Sequence, residues 1–78
     1  MPSITENQRE LGNLLIQAFQ DVPDHERYAL TNNTYMVASQ LKQTFGDEIV
    51  EKIKTFTNDD WRGAWVIFND HYADEEDV

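Results

Sequence analysis

Apolar residues near the N-terminus recur at intervals of three and four, and this periodicity constrains the fold more than any other feature of the chain. They are Leu11, Leu14, Leu15, Ala18, Phe19 and Val22. Residues at these intervals share one face of an α-helix, so the pattern predicts a helix over residues 4–21. Ser3 and Glu6 have the spacing of a capping box at its start, and Pro23 follows its end. Because the apolar face of this helix must be buried, the rest of the chain is expected to fold against it.

Three shorter helical patterns occupy the middle of the chain. Residues 23–30 are predicted to form one or two turns. A run of Thr and Asn, typical of helix caps, precedes a helix that is expected to end at Gly46, since glycine readily adopts a left-handed backbone there. Asp47 is then predicted to cap a further helix, on whose outer face Glu48 and Lys52 would form an ion pair.

The last segment decides the fold class. Thr57 and Asp60 again have capping-box spacing, and apolar residues follow at helical intervals. These residues are Trp61, Ala64, Trp65, Phe68 and Tyr72. The apolar run over residues 64–68 is also typical of a β-strand, but no second strand pattern offers a partner for it. We therefore predict an all-α fold, a compact bundle of four to five short helices, with one domain over residues 1–73 and a frayed acidic tail at 74–78.

Composition excludes several classes of function. The net charge of −9, from 15 acidic and 6 basic residues, argues against direct binding to nucleic acid or to an anionic membrane, because both need clustered Lys and Arg. Without cysteine the chain has no disulfide, thiolate zinc site or thiol nucleophile. No apolar segment approaches the roughly 20 residues of a membrane helix, and no signal-peptide pattern occurs, so we expect a cytoplasmic protein.

We predict no enzymatic activity, no catalytic residue, no cofactor and no metal site. The sequence contains no nucleophile elbow, phosphate-binding glycine loop or metalloprotease motif. His71, Asp74 and Glu75 could share one helix face, but they match neither a calcium loop nor a zinc pattern. We interpret them as surface residues near a helix end.

The acidic residues of the last helix are the main candidate for a binding site. At 100° per residue, Asp59, Asp70 and Asp77 lie within about 20° of one another, opposite the apolar face. We predict that this acidic face contacts Lys and Arg of a partner protein. Its residues are Asp59, Asp70, Asp74, Glu75, Glu76 and Asp77.

Apolar residues outside the main stripes suggest an alternative contact. Ile16, Val66 and Ile67 are not needed by the predicted core, and Gly12 and Gly63 are small enough for another helix to approach closely. This pattern favours a structural or assembly component, a homo-oligomer such as a homodimer.

Our leading hypothesis is a non-enzymatic acidic binding protein that occludes a basic surface of a nucleic-acid-handling protein. Small acidic chains without cysteine are typical of phages and mobile elements, so its concrete form is an anti-defence inhibitor with partial DNA mimicry. The last helix would present roughly one carboxylate per 4 Å, against one charge per about 1.7 Å in duplex DNA. A full mimic would therefore need acids from other helices on the same side, such as Glu48, Glu51, Asp21, Asp24 and Glu26.

Overall fold

Five helices connected by short turns make up the part of the chain that the computed structural model describes, residues 3–76 with side chains through Ala73. They are α1 (Glu6–Ala18), α2 (Asp24–Thr31), α3 (Thr34–Phe45), α4 (Glu48–Ile53) and α5 (Asn58–Glu76). Residues 3–76 contain no strand, and the ambiguous run at 64–68 is helical. The prediction of an all-α bundle of four to five helices is confirmed.

The capping box of α1 lies two residues after the predicted one. Thr5 is the cap: its Oγ1 accepts from the Gln8 N–H at 3.1 Å, and Gln8 Oε1 accepts from the Thr5 N–H at 3.0 Å. The same Gln8 amide donates through Nε2 to the Asp59 carbonyl at 3.2 Å. The carboxylate of Glu6 could not donate such a bond, which favours the Thr5 box over the one predicted at Ser3. α1 also ends earlier than predicted, at Ala18.

The ends of α3 and α4 follow the sequence only in part. The Asn33 side chain caps α3 by accepting from two backbone N–H groups, and Gly46 ends it with a φ of 90°. Asp47 is the N-cap residue of α4, as predicted, but its side chain makes no capping hydrogen bond. Lys52 pairs with Glu10 of α1 at 3.2 Å rather than with the predicted partner, Glu48, and so joins α4 to α1.

α1 and α5 lie side by side and run in the same direction. Near their starts Gln8 bonds to the Asp59 carbonyl, and further along the Tyr72 hydroxyl donates to the Ile16 carbonyl at 2.8 Å. Between these bonds Gly12 lies directly against Ile67. The positive ends of the two helix dipoles therefore lie at one end of the pair and the negative ends at the other.

The core is built around α1. The buried residues of the core are Leu11, Leu15, Ala18, Phe19, Val37, Leu41, Ile49, Ala64, Phe68 and Tyr72. α3 also packs against α1, with Gln40 Nε2 donating to the Ala18 carbonyl at 2.9 Å. Trp61 and Trp65 of α5, which the sequence places on the inward face, are only partly buried.

Asp60 connects the starts of α1 and α5. The predicted box is confirmed: Asp60 Oδ2 accepts from the Thr57 N–H at 2.9 Å, and the Asp60 N–H donates to Thr57 Oγ1 at 3.2 Å. The buried carboxylate also accepts from Asn7 Nδ2 of α1 at 3.5 Å.

We expect Asp60→Ala to lower the free energy of unfolding by about 1–2 kcal/mol, because it removes a cap bond and leaves the Thr57 N–H without its acceptor. Urea titration followed by circular dichroism measures the change. Asp59→Ala is the matched control: it removes the same charge from the same turn, but its side chain is exposed. Equal losses in the two variants would show that the helix dipole, and not the hydrogen bonds of Asp60, accounts for the effect.

Candidate functional site

The predicted acidic face of α5 is divided between two electrostatic environments. Asp59 lies in the first turn, at the positive ends of α1 and α5, where Arg62 approaches it at 3.8 Å. Asp70 lies eleven residues later on the same row, about 16 Å along the helix. Val66, which is 56% exposed, separates them on that row. The structure therefore places Asp59 and Asp70 on one face without bringing them together.

The other predicted acidic residues follow at the end of α5. The backbone of Asp74, Glu75 and Glu76 continues the helix, so α5 includes the first three residues of the predicted tail. By helical register Asp74 follows Asp70 on the same row, whereas the positions of Glu75 and Glu76 fall on other rows of the helix. Asp77 lies outside the described residues.

Negative charge accumulates where α1 and α5 end. Asp21 lies three residues after the end of α1, and Asp70 lies in the C-terminal half of α5; both are exposed. The negative ends of both helix dipoles lie at this end of the molecule because the helices are parallel, and α5 ends six residues after Asp70. We call Asp21, Asp70 and the C-terminal turns of α1 and α5 the acidic end. The sequence could not indicate it, because it depends on the direction of α1 relative to α5.

The positive charges of the chain are largely neutralised elsewhere. Each of the three lysines lies near a carboxylate, at 3.2 to 3.5 Å. Within the described part of the chain no ion pair involves Asp21 or Asp70. Glu6, Glu26 and Glu48 also lack one there, but each lies in a first turn, where the helix dipole is favourable. Asp21 and Asp70 have neither an ion pair nor a position in the first turn of a helix.

Arg27 fixes α2 beside this end. Its side chain is almost fully buried, its Nη1 lies 2.7 Å from Asp24 Oδ1, and its guanidinium lies 4.0 Å above the centre of the Tyr72 ring. A desolvated cation over an aromatic face stabilises such a contact by about 2 kcal/mol. Sequence reasoning missed this residue, since a single Arg in a polar segment gives no signal of burial.

A groove in two parts runs along the side of α5 that faces α2 and α3. The part beside α2 has a volume of about 290 Å³ and is lined by Arg27, Tyr28, Thr31, Phe68, Asn69 and Tyr72, among others. The part beside α3 has a volume of about 360 Å³ and is lined by residues that include Thr31, Val37, Ala38, Ile53, Trp61 and Trp65. Thr31 lines both parts. The groove explains why both indoles are only partly buried.

The alternative apolar contact is largely used inside the molecule. Ile67 packs on Gly12, and Ile16 is partly buried against the core. The close approach expected at Gly12 is thus made by α5 of the same chain. Val66 is the most exposed of the three predicted residues.

Among the described residues, no group of three or more histidine and carboxylate side chains is placed to hold a metal ion. His71 is exposed, with its ring packed edge-on against Tyr72 at 4.9 Å between centroids. None of the helices in residues 3–76 has both the length and the apolar character needed to cross a bilayer. No protein-family model matches the chain, and no curated protein or solved structure shows significant similarity to it.

Proposed function

We propose that this chain is a non-enzymatic binding protein whose acidic end docks on a basic surface of a partner protein in the cytoplasm. One observation supports the proposal above all: because α1 and α5 are parallel, both negative helix ends lie at one end of the molecule, with Asp21 three residues after α1 and Asp70 in the C-terminal half of α5. The lysines are neutralised elsewhere. A partner rich in Lys and Arg would gain complementary charge here, and the field would accelerate its association.

In its concrete form the partner is a nucleic-acid-handling protein, such as a host defence complex, and the chain is a phage or mobile-element inhibitor of it. A surface built to contact phosphates has the clustered cations that the acidic end would attract. DNA mimicry would be partial. About 16 Å separates Asp59 from Asp70 on their row, whereas DNA would carry several charges over that distance.

Reversing two charges near the acidic end tests the docking. We expect Asp70→Lys with Asp74→Lys to slow association with an immobilised oligolysine about tenfold at low salt, and to flatten the salt dependence. Surface plasmon resonance over a series of salt concentrations measures both effects. Circular dichroism checks that the helices are retained.

Glu6→Lys with Glu48→Lys is the matched control for this experiment. It changes the net charge equally but alters the first turns of α1 and α4. If the association rate falls equally in the control, net charge alone drives binding. If the association rate of the test variant does not change, the electrostatic mechanism is wrong. Release of a short DNA duplex from the same oligolysine by the unmodified protein, and not by the test variant, would support occlusion of a phosphate-binding surface.

The homo-oligomer remains a second candidate because Val66 on the outer side of α5 is 56% exposed. Sedimentation velocity at high salt separates the two functions. We expect a monomer even where salt screens the repulsion between copies, because two of the three predicted contact residues, Ile16 and Ile67, pack inside the molecule. A dimer that persists at high salt and is abolished by Val66→Glu would favour an assembly component instead.

A further inference from the structure

α2 differs from its neighbouring helices in what it buries. α1, α3 and α4 each bury at least one apolar side chain, whereas the residue that α2 buries is Arg27. Leu30 of α2 is only partly buried against the core. Segments with little buried apolar surface open at a lower free energy than the core of a protein. The attachment of α2 therefore depends to a large extent on a cation.

The side chain of Arg27 connects α2 to a ring that belongs to the core. The part of the groove beside α2, about 290 Å³, lies between α2 and α5, and Arg27 is among its lining residues. The guanidinium lies 4.0 Å from the centre of the Tyr72 ring. Tyr72 is held in place because its hydroxyl donates to the Ile16 carbonyl at 2.8 Å and its ring packs on that of Phe68 at 4.8 Å between centroids. The contact thus joins a helix with little apolar burial to a fixed aromatic side chain.

α2 is too short to remain helical once it is detached. It has eight residues, and isolated helices shorter than about 12–15 residues are marginal in water. Its N-cap residue, Pro23, makes no side-chain capping bond. Asp24, the ion-pair partner of Arg27, belongs to the same helix and would move with it. Detachment of α2 and loss of its helical structure are therefore coupled.

We propose that α2 detaches and unfolds as a unit while the α1–α5 core stays folded, and that the contact between Arg27 and Tyr72 controls this local opening. Closed, α2 covers the side of Phe68 and Tyr72 that lines the groove. Opening exposes these rings and releases the guanidinium to water. The inference goes beyond the proposed docking of the acidic end and does not depend on it.

Native-state hydrogen exchange, followed by NMR over a series of low urea concentrations, tests the opening in the unmodified protein. The backbone amides of residues 27–31 report on α2, and those of Leu15 and Leu41 report on the core. After correction for intrinsic rates, we expect the α2 amides to exchange at least about tenfold faster than the core amides. Their rates should also respond less steeply to urea, because a local opening exposes less surface than global unfolding does.

Arg27→Ala tests the role of the contact with Tyr72. It removes the guanidinium from the ring, so exchange of the α2 amides should accelerate about tenfold or more. His25→Ala is the matched control, because it truncates an exposed side chain of the same helix. Its α2 amides should exchange within about twofold of the rate in the unmodified protein.

Ile49→Val tests whether α2 opens separately from the core. Ile49 is buried in α4, and loss of one methyl group there destabilises the whole fold, so Leu15 and Leu41 should exchange about two- to tenfold faster. The α2 amides should keep their exchange rates, because the contacts of Ile49 are retained when α2 alone opens.

Fast α2 exchange that is accelerated by Arg27→Ala, and not by His25→Ala or Ile49→Val, supports the inference. If the α2 and core amides of the unmodified protein exchange equally, with the same dependence on urea, α2 does not open separately and the inference is overturned. If Arg27→Ala and His25→Ala change α2 exchange equally, the control by Arg27 is overturned. Oligolysine binding is measured independently, so the proposed function stands or falls on its own experiment.

Discussion

Phe19→Ala should leave a large fraction of the molecules unfolded at room temperature. Phe19 is completely buried, and its ring meets that of Phe68 edge-on at 5.6 Å between centroids, which joins the end of α1 to α5. Truncating a buried Phe costs about 3–5 kcal/mol. A single core of this size supplies only about 3–5 kcal/mol of net stability, so the loss approaches the whole margin.

Urea titration followed by circular dichroism measures this loss, with Tyr35→Ala as the aromatic control. Tyr35 is 87% exposed, so its truncation should change the free energy of unfolding by less than about 0.5 kcal/mol. The loss of unfolding free energy in Trp65→Ala should lie between those of Phe19→Ala and Tyr35→Ala, because part of the indole lies in the groove rather than in the core. A Phe19→Ala protein with an unchanged midpoint would show that the α1–α5 contact is not the centre of the fold.

Gly12→Val should force α1 and α5 apart and destabilise the protein by about 2 kcal/mol. A Cβ at Gly12 would lie 3.0 Å from both Cβ and Cγ2 of Ile67. The Ile67 Cβ is attached to the helix backbone, so it cannot move away without moving α5. The strain therefore falls on the spacing of the two helices.

A double-mutant cycle with Ile67→Ala tests this contact. Removing the Ile67 side chain beyond Cβ makes room for part of the valine, so the double variant should be more stable than the sum of the two single losses predicts. Asn13→Val is the control, because Asn13 is the exposed neighbour in the same helix. Additive losses in the cycle would show that Gly12 is not limited by its contact with Ile67.

Local patterns predicted the helices well because each depends on residues close in sequence. The apolar spacing of α1, Gly46 after α3 and the Thr57–Asp60 box of α5 all lie where the sequence places them. Where two local arrangements were nearly equivalent, contacts with residues distant in sequence determined which one formed. Thr5 rather than Ser3 caps α1, and its partner Gln8 also reaches the Asp59 carbonyl of α5. Lys52 likewise pairs with Glu10 of α1, which is distant in sequence, rather than with Glu48 of its own helix.

The candidate site was less accessible to sequence reasoning because it depends on how whole helices are arranged. Helical spacing placed Asp59 and Asp70 on one row, but it carries no information on which helix ends lie beside them. The parallel direction of α1 and α5 supplies that information: it places both negative helix ends at the end of the molecule where Asp21 follows α1. The groove likewise depends on the separation of α5 from α2 and α3. The inward-facing pattern of Trp61 and Trp65 could not distinguish a core from an open cleft.

The pairing of α1 with α5 also has a consequence for biosynthesis. Its contacts join residues 51 to 56 positions apart, so a long loop must close before the core forms. While the ribosome is still translating the middle of the chain, Leu11 and Leu15 have no α5 to cover them. Folding should therefore wait until α5 has left the exit tunnel, and a nascent chain stalled before that point should be a target for chaperones and proteases.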